Sequence, residues 1–296
     1  MKKHIYDLFS YDTHVSFEFF PPKTNQGRKQ IYQSIARLKS MNPDFFSVTY
    51  GAGGSTADRS LEIASALTNL AQVTCVAHIT CVGMNRDQVK ELLKGLEFHG
   101  IANVLALRGD PPKGETEFVK PENGFQYASE LVRFIRQNSD MGILIAGYPE
   151  GHKENPNRED DFKHLLEKIE AGANGIITQL CFENAYLFDF KERLVNAGAK
   201  LPLIAGIFPI SNAVQIKRVT ELSGATIPGE LMAGIEKYGD SPEDMEKFGT
   251  EYAVNQVKEL LKGGITHFHF YTMNRHQQTR NVLYQLRRYF PRLNFW

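Results

Sequence analysis

The sequence predicts a (β/α)8 barrel, a TIM barrel in which eight parallel strands alternate with helices. Eight short runs rich in β-branched and aromatic residues recur along the 296-residue chain, and longer amphipathic segments separate them. Short apolar strands that alternate with helical patterns are typical of parallel sheets, and eight of them in about 300 residues fit a closed barrel. The runs cover residues 14–20, 44–51, 74–81, 103–109, 143–149, 175–182, 201–209 and 267–274.

The segments between the runs have the pattern of surface helices. In residues 30–39, for example, Ile31, Ile35 and Leu38 fall on one helical face. The runs themselves are apolar nearly throughout, as expected for parallel strands that helices cover. An open doubly wound sheet is the alternative, although no run is followed by the GxGxxG or GxxxxGK[ST] turn that often marks such folds.

Glycines mark the ends of several predicted helices. Gly100, Gly172, Gly198 and Gly264 each stand a few residues before an apolar run. A glycine in this place indicates a left-handed C-cap, because it lacks the Cβ that disfavours positive φ. The repeating order of helix, glycine and strand therefore supports a repeated βα unit.

One stretch departs from the regular repeat. More than 40 residues separate the seventh helix, at about 212–223, from the eighth strand. This stretch predicts an extra helix near Pro228, followed by a long helix from about Ser241 to Lys262. No linker or change of composition divides the chain, so residues 1–296 are expected to form one catalytic barrel domain.

The composition of the chain indicates which classes of partner are unsuitable and in which compartment the protein is expected. The formal net charge is zero, which argues against nucleic acid or a membrane surface as partner. No apolar run reaches the roughly 20 residues of a membrane span, and the N-terminus lacks the pattern of a signal peptide. Three cysteines without a CxxC pair indicate reduced core thiols. We therefore expect a cytoplasmic protein.

Glu18 is the clearest catalytic candidate. It lies in the first strand between Phe17 and Phe19, with Phe20 beyond. Desolvating a carboxylate costs several kcal/mol unless it is paired or protonated, so three phenylalanines would raise the pKa of Glu18 and suit it to donate a proton. The alternative is a buried glutamate that a neighbouring backbone group or arginine satisfies.

Polar residues gather at the carboxyl ends of the predicted strands, where barrels carry their active sites. Arg108-Gly109-Asp110 is notable, because Gly109 allows the backbone to approach a ligand and Asp110 can accept hydrogen bonds from a heterocycle. His267 and His269 share a strand face, but no third ligand recurs at matching spacing, so we predict packing histidines and no metal. The other polar residues of this rim are Thr49, Tyr50, His78, Tyr148, Glu150, Gln179, Asn274 and Arg275.

Several of these segments together resemble the methylenetetrahydrofolate reductase family. The resemblance rests on 16–24, 47–52, 106–110, 146–150 and 268–275, which occur in the family's order and spacing. It extends from about residue 14 to residue 290 and is closest to the short bacterial form. The resemblance implies an FAD-containing barrel that reduces 5,10-methylenetetrahydrofolate to 5-methyltetrahydrofolate with NADH or NADPH, a step that supports methionine synthesis.

The resemblance also implies roles for individual residues. Glu18 would protonate nitrogen 10 of the folate, and Asp110 would lie near the flavin and bind the pterin. Folate or nicotinamide would contact Gln179, Gln215 and Arg275, with Arg275 near the glutamate tail. The residues implied for FAD are Thr49, Tyr50, Ala52, His78, Arg108, Gly109, Asp110, Tyr127, Ala146, Tyr148, His152, Asp161 and Lys168.

Other interpretations remain open from the sequence. Val219 stands where the family resemblance implies an aromatic or larger apolar residue in the substrate pocket, so the stacking of folate and nicotinamide is left open. Another FAD-dependent barrel, such as a proline-dehydrogenase-like oxidase, would keep the flavin residues without needing Glu18. A barrel without cofactor, acting in binding or scaffolding, is the alternative from a different class. The family resemblance further implies a homo-oligomer.

Overall fold

The computed structural model of the chain describes residues 3–9, 12–50, 54–111, 118–155 and 157–295, with the backbone alone for 54–58. Within these residues eight parallel strands form a closed barrel in the order β1 to β8, and β1 pairs with β8. The predicted (β/α)8 barrel is confirmed, and the open sheet is excluded. The strands are β1 (His14–Phe19), β2 (Phe45–Val48), β3 (Cys75–Thr80), β4 (Asn103–Leu107), β5 (Gly142–Gly147), β6 (Gly175–Thr178), β7 (Leu203–Ile207) and β8 (His267–Tyr271).

Helices cover the outer surface of the barrel. A π-helical turn, Ala66–Leu70, continues the third helix, and a 3-10 turn, Arg287–Tyr289, follows the last. No helix of the described part of the chain is both long and apolar enough to cross a membrane. The helices are α1 (Ile5–Leu8), α2 (Asn25–Lys39), α3 (Gly54–Ser65), α4 (Arg86–Phe98), α5 (Ala128–Asn138), α6 (Arg158–Glu170), α7 (Asn184–Asn196), α8 (Ala213–Ser223), α9 (Gly229–Tyr238), α10 (Pro242–Lys262) and α11 (Gln277–Gln285).

The signals that predicted the helix ends are confirmed. Gly100, Gly172, Gly198 and Gly264 have φ angles between 74° and 114°, in the region that L-residues with a Cβ avoid. The extra helix is α9, and the long helix that follows is α10. Ser241 caps α10 by accepting a hydrogen bond from the Asp244 amide.

Successive residues of β1 face opposite sides of the barrel wall. Val15, Phe17 and Phe19 pack outward in the large cluster between strands and helices, whereas Ser16 and Glu18 point inward toward residues of β8 and β3. This alternation follows from the two-residue period of a strand. It decides the surroundings of every candidate residue on a strand.

The amino-terminal end of the barrel is closed by α1. Ile5 and Leu8 are buried in a cluster with inward-facing residues of several strands, including Leu144. The Asn103 side chain fixes this helix, since it accepts a hydrogen bond from the Ile5 amide at 2.6 Å and donates one to the Lys3 carbonyl at 3.0 Å. Access to the interior is therefore from the opposite end.

Candidate active site

A cavity of about 480 Å³ opens at the carboxyl ends of the strands. Most of the predicted rim residues line it, and β1 to β6 and β8 or the loops after them all contribute. Ala52 lies outside the described residues. The predicted residues in its lining are Glu18, Thr49, Tyr50, His78, Arg108, Gly109, Asp110, Ala146, Tyr148, His152 and Gln179.

A second cavity, of about 240 Å³, adjoins the first. The two share five lining residues, among them Arg108 and Tyr148. The second cavity adds Tyr127, Asp161 and Lys168, which sequence reasoning had grouped with the first set. Together the cavities form an elongated site that runs from the barrel axis outward between α5 and α6.

Glu18 lies on the floor of the first cavity with 19% of its side chain exposed. Its Oε2 atom is 3.6 Å from Nε2 of His78 and 3.7 Å from Nε2 of His269. His78 comes from β3 and His269 from β8, on either side of β1 and β2. The carboxylate therefore lies between two buried imidazole rings.

The expected raised pKa of Glu18 is wrong. Burial raises the pKa of this carboxyl, but the interactions with His269 and His78 together lower it more, so the pKa lies below its usual value. The error arose because Phe17 and Phe19, the neighbours in sequence, face the helices and do not surround the carboxylate. The neighbours in space are imidazoles, which favour its charged form.

His78 is neutral at neutral pH. Burial lowers the pKa of His78 to about 4, although Glu18 opposes this shift. Its Nε2 atom and the Oγ1 atom of Thr80 are buried and make no hydrogen bond within the described residues. Both residues line the first cavity, where the Thr80 hydroxyl is available to a ligand and Nε2 of His78 faces Oε2 of Glu18 at 3.6 Å.

Lys168 gives the second cavity a half-buried positive group. It lies seven residues from Asp161 on the same face of α6, and its Nζ donates to the Ala146 carbonyl at 2.7 Å. Burial lowers the pKa of Lys168 to about 8, and the charge of Asp161 opposes this shift. An anion bound beside Lys168 would restore the charged form of the ammonium.

Arg108 follows β4 and faces both cavities. Its guanidinium forms an ion pair with Glu154 and lies 5.4 Å from the ring centroid of Phe118. The hydrogen bond from Arg108 lowers the pKa of Glu154. Gly109 beside it has φ +85°, and a Cβ there would come within 3.0 Å of Thr80 Cβ. A glycine is therefore required at this turn.

Two predicted substrate residues lie away from the main cavity. Gln215, on α8, accepts a hydrogen bond from the Ser211 hydroxyl at 3.1 Å. Arg275 lines a separate cavity of about 560 Å³ between α2 and α11, together with Arg37 and Arg280. None of these three guanidinium groups forms an ion pair with a carboxylate of the described chain, so this cavity is strongly cationic.

One cavity residue was missed from the sequence, and a neighbour of Glu18 was predicted only to pack. Tyr271 lines the first cavity and donates from its hydroxyl to the Thr178 carbonyl at 2.6 Å. His269, predicted as a packing histidine, has its Nε2 atom 3.7 Å from Oε2 of Glu18. Both occupy inward positions of β8, two residues apart, and this spacing is the signal that could have identified them. His267 is the next inward residue, and the described residues contain no group of three or more side chains suited to a metal.

Comparisons with known proteins place this architecture in a family. A profile of the family described as methylenetetrahydrofolate reductase matches residues 3–287. The chain is 38% identical over 285 residues to methylenetetrahydrofolate reductase (NADH) 1 of Arabidopsis thaliana, covering 93% of this chain and 48% of that protein. It is 35% identical over 272 residues to 5,10-methylenetetrahydrofolate reductase of Escherichia coli (strain K12), covering 92% of this chain and 90% of that protein.

The fold is similar to that of a solved structure at lower identity. An uncharacterized protein from Clostridium thermocellum, reported to bind two copies of 5-methyl-5,6,7,8-tetrahydrofolic acid, superposes with a TM-score of 0.60 at 17% identity. The alignment covers 92% of this chain and 93% of that one. The chain spans about half the length of the plant relatives and most of the length of the bacterial one. The chain belongs to the methylenetetrahydrofolate reductase family.

Proposed function

We propose that this protein reduces 5,10-methylenetetrahydrofolate to 5-methyltetrahydrofolate, with FAD as cofactor and NADH as the source of hydride. Membership of the family supports the reaction, and NADH stands in the names of the plant relatives. The observation that carries the proposal is the carboxylate of Glu18, placed on the floor of a cavity that continues into a second cavity lined by Arg108 and Lys168.

The residues of the two cavities fit FAD. Leu105, Leu107 and Ile177 offer an apolar surface in the first cavity, and the unused polar atoms of His78 and Thr80 lie in the same wall. Arg108 and Lys168 supply the positive charge that a pyrophosphate requires. When bound, FAD would accept a hydride from the nicotinamide and pass it to the folate.

The predicted FAD residues divide between the two cavities in a way that suits an elongated cofactor. The second cavity alone contains Tyr127, Asp161 and Lys168, which would contact the part of the cofactor distant from the ring system. The first cavity, which contains Glu18, alone contains Thr49, Tyr50, His78, Gly109 and Asp110. Arg108, Ala146, Tyr148 and His152 lie in both.

Two carboxylates would act on the folate. Glu18 would deliver a proton to nitrogen 10, which opens the five-membered ring and leaves an iminium cation. Asp110, at the exposed rim of the same cavity, would bind the pterin and favour that cation by its negative charge. Gln179 lines the same cavity and would contact folate or nicotinamide.

Other contacts are proposed for the remainder of the substrate. Arg37, Arg275 and Arg280 line the separate cavity between α2 and α11. Their guanidinium groups suit the carboxylates of the glutamate tail. Gln215 on α8, which accepts a hydrogen bond from the Ser211 hydroxyl, would contact folate or nicotinamide. We also propose that the protein acts in the cytoplasm and as a homo-oligomer.

The test separates the two half-reactions with Glu18→Gln. NADH should still bleach the bound flavin, because hydride transfer from the nicotinamide needs no proton from Glu18. Reoxidation of the reduced flavin by methylenetetrahydrofolate should fall by about 10²–10⁴-fold, the usual contribution of a general acid. Stopped-flow absorbance under anaerobic conditions measures both steps. Wild-type reoxidation by this variant would remove Glu18 as the acid, and a purified protein without flavin would remove the proposed cofactor.

A further inference from the structure

His269 is fixed at both nitrogens of its ring. It is fully buried, and its Nδ1 atom is 2.7 Å from the Ser16 hydroxyl. Its Nε2 atom is 3.2 Å from the Ser47 hydroxyl and 3.7 Å from Oε2 of Glu18. The ring also stacks on Phe45, with 5.7 Å between centroids. It therefore has no freedom to turn away from Glu18.

The hydrogen bonds of Ser16 determine which nitrogen carries a proton. The Ser16 hydroxyl donates to the Phe268 carbonyl at 3.2 Å, and a carbonyl can only accept. A hydroxyl has a single proton, so both contacts of Ser16 are satisfied only if Nδ1 of His269 is the donor in the other. This leaves Nε2 as the ring nitrogen that faces Glu18.

An unprotonated Nε2 could accept only from the Ser47 hydroxyl and would set its lone pair against the Glu18 carboxylate, whereas a protonated Nε2 would face two oxygen acceptors, Oγ of Ser47 and Oε2 of Glu18. We propose that His269 is a positioning residue that holds on Nε2 the proton which Glu18 delivers, and that Ser16 fixes the tautomer required. This inference rests on the proposed role of Glu18 as the acid. In the step, the proton of Nε2 passes to the Glu18 carboxylate and from there to the substrate nitrogen, so that Glu18 ends ionised and His269 ends neutral.

The other groups around Glu18 do not serve as this proton store. Burial lowers the pKa of His78 to about 4, so its ring holds no spare proton at neutral pH. The Tyr271 hydroxyl already donates to the Thr178 carbonyl at 2.6 Å, and burial raises the pKa of this phenol well above its usual value. The distance of 3.7 Å from His269 is long for a hydrogen bond, but such contacts commonly shorten when the substrate binds.

Nitrogen NMR of the full-length protein with ¹⁵N-labelled histidine tests the tautomer and the coupling. The His269 signals are those absent from His269→Gln. We expect Nδ1 to carry a proton, and we expect the Nε2 signal to change in Glu18→Gln while the signals of His267 do not. His267 is a matched control, because it faces inward on the same strand but packs against His14. A bare Nδ1, or an Nε2 signal unaffected by Glu18→Gln, would overturn the inference.

Rapid kinetics of His269→Gln give a second readout. Flavin reduction by NADH should stay within about twofold of wild type, whereas reoxidation by methylenetetrahydrofolate should slow by about 10- to 100-fold, part of what an acid contributes. The pH midpoint of reoxidation should also move, since Glu18 would titrate without its partner. If the pH midpoint of reoxidation does not change, or if both half-reactions slow equally, His269 has only a structural role.

The outcomes of these experiments distinguish a failure of the role proposed for His269 from a failure of the proposed reaction. If the NMR coupling is present but methylenetetrahydrofolate does not reoxidise the flavin, the proton pair stands and the proposed reaction is wrong. If the folate is reduced but the coupling is absent, the reaction stands and the role of His269 is wrong. His267→Asn should leave the pH midpoint of reoxidation where it is in the wild type, and a shift as large as that of His269→Gln would also overturn the inference.

Discussion

The two ends of the barrel use the same inward-facing strand positions in opposite ways. At the closed end, Ile5 and Leu8 of α1 pack among apolar side chains. The side-chain amide of Asn103 makes hydrogen bonds with the backbone of Ile5 and Lys3. At the open end, the inward positions hold Glu18, His78 and other polar groups, and some of their atoms make no hydrogen bond within the described residues. At the closed end the Asn103 side chain bonds to the protein itself and stabilises it, whereas at the open end several polar atoms lie in the cavity wall, where a ligand can bind them.

This difference predicts that mutations at the two ends separate stability from function. The closed end should respond mainly in the free energy of unfolding, because its contacts are complete in the protein alone. The open end should respond mainly in cofactor affinity and turnover. The three substitutions below sharpen this contrast, in order of decreasing expected effect.

The largest effect is expected for Ile5→Ala at the closed end. Ile5 is fully buried, and removing a buried isoleucine side chain typically costs about 2–5 kcal/mol of unfolding free energy. Urea denaturation followed by circular dichroism measures the loss, and flavin affinity should be unchanged in the folded protein. Leu70→Ala, at a side chain 83% exposed, is the control and should cost less than about 0.5 kcal/mol. Equal stability of the two variants would contradict the picture of α1 as a plug.

Lys168→Met at the open end should weaken flavin binding by about 10- to 100-fold, since hydrogen bonds to charged groups contribute about 1.5–3 kcal/mol. The pKa of Lys168 is lowered to about 8, so the ammonium is charged below that pH. Flavin affinity of the wild type should therefore be highest below about pH 8 and fall as pH rises above it, and the variant should lack this fall. Fluorescence titration of FAD across pH measures both.

A matched control for this variant lies on the same helix. Lys163 is on α6 but is exposed and pairs with Asp160, so Lys163→Met should leave flavin affinity and its pH dependence close to those of the wild type. A similar loss in both variants would mean that Lys168 acts through the general charge of α6 and does not contact the cofactor.

The smallest effect is expected for Glu154→Gln. Glu154 pairs with Arg108 at the partly exposed edge of the site, and such pairs contribute only about 0–1 kcal/mol. Removing this carboxylate frees Arg108 for a phosphate, so FAD should bind up to about fivefold more tightly. Glu159→Gln, which breaks a similar pair with Arg193 away from the cavities, should have no effect. Weaker FAD binding in Glu154→Gln would show that Glu154 orients Arg108 and does not compete for it.

The arrangement of helices and strands could be predicted from the sequence because the signals for it are local. The helical spacing at 31, 35 and 38, the glycines such as Gly100 and Gly264, and the start of the long helix near Ser241 each depend on residues a few positions apart along the chain, and the structure confirms them. The gathering of polar residues at the carboxyl ends of the strands follows from the parallel arrangement, so most of the cavity lining was also predictable.

The electrostatics of the site could not be predicted in the same way. The surroundings of Glu18 depend on β1 pairing with β8 in the register that sets Ser16 opposite His269, and the two strands are more than 240 residues apart in sequence. Reading neighbours along the chain assigned Phe17 and Phe19 to the carboxylate, although alternation turns them to the other side of the wall. Local patterns identify which residues face inward, but only the closed register identifies their partners.

The pairing of the first strand with the last has a consequence for how the protein matures. A ribosome releases the Glu18 segment early and the His269 segment near the end of synthesis, so a nascent barrel carries the carboxylate without the imidazole beside it. Long-range contacts of this kind form late and slowly. The contact between Glu18 and His269 is therefore made when the barrel closes, and an incompletely closed intermediate would lack it even with every other strand in position.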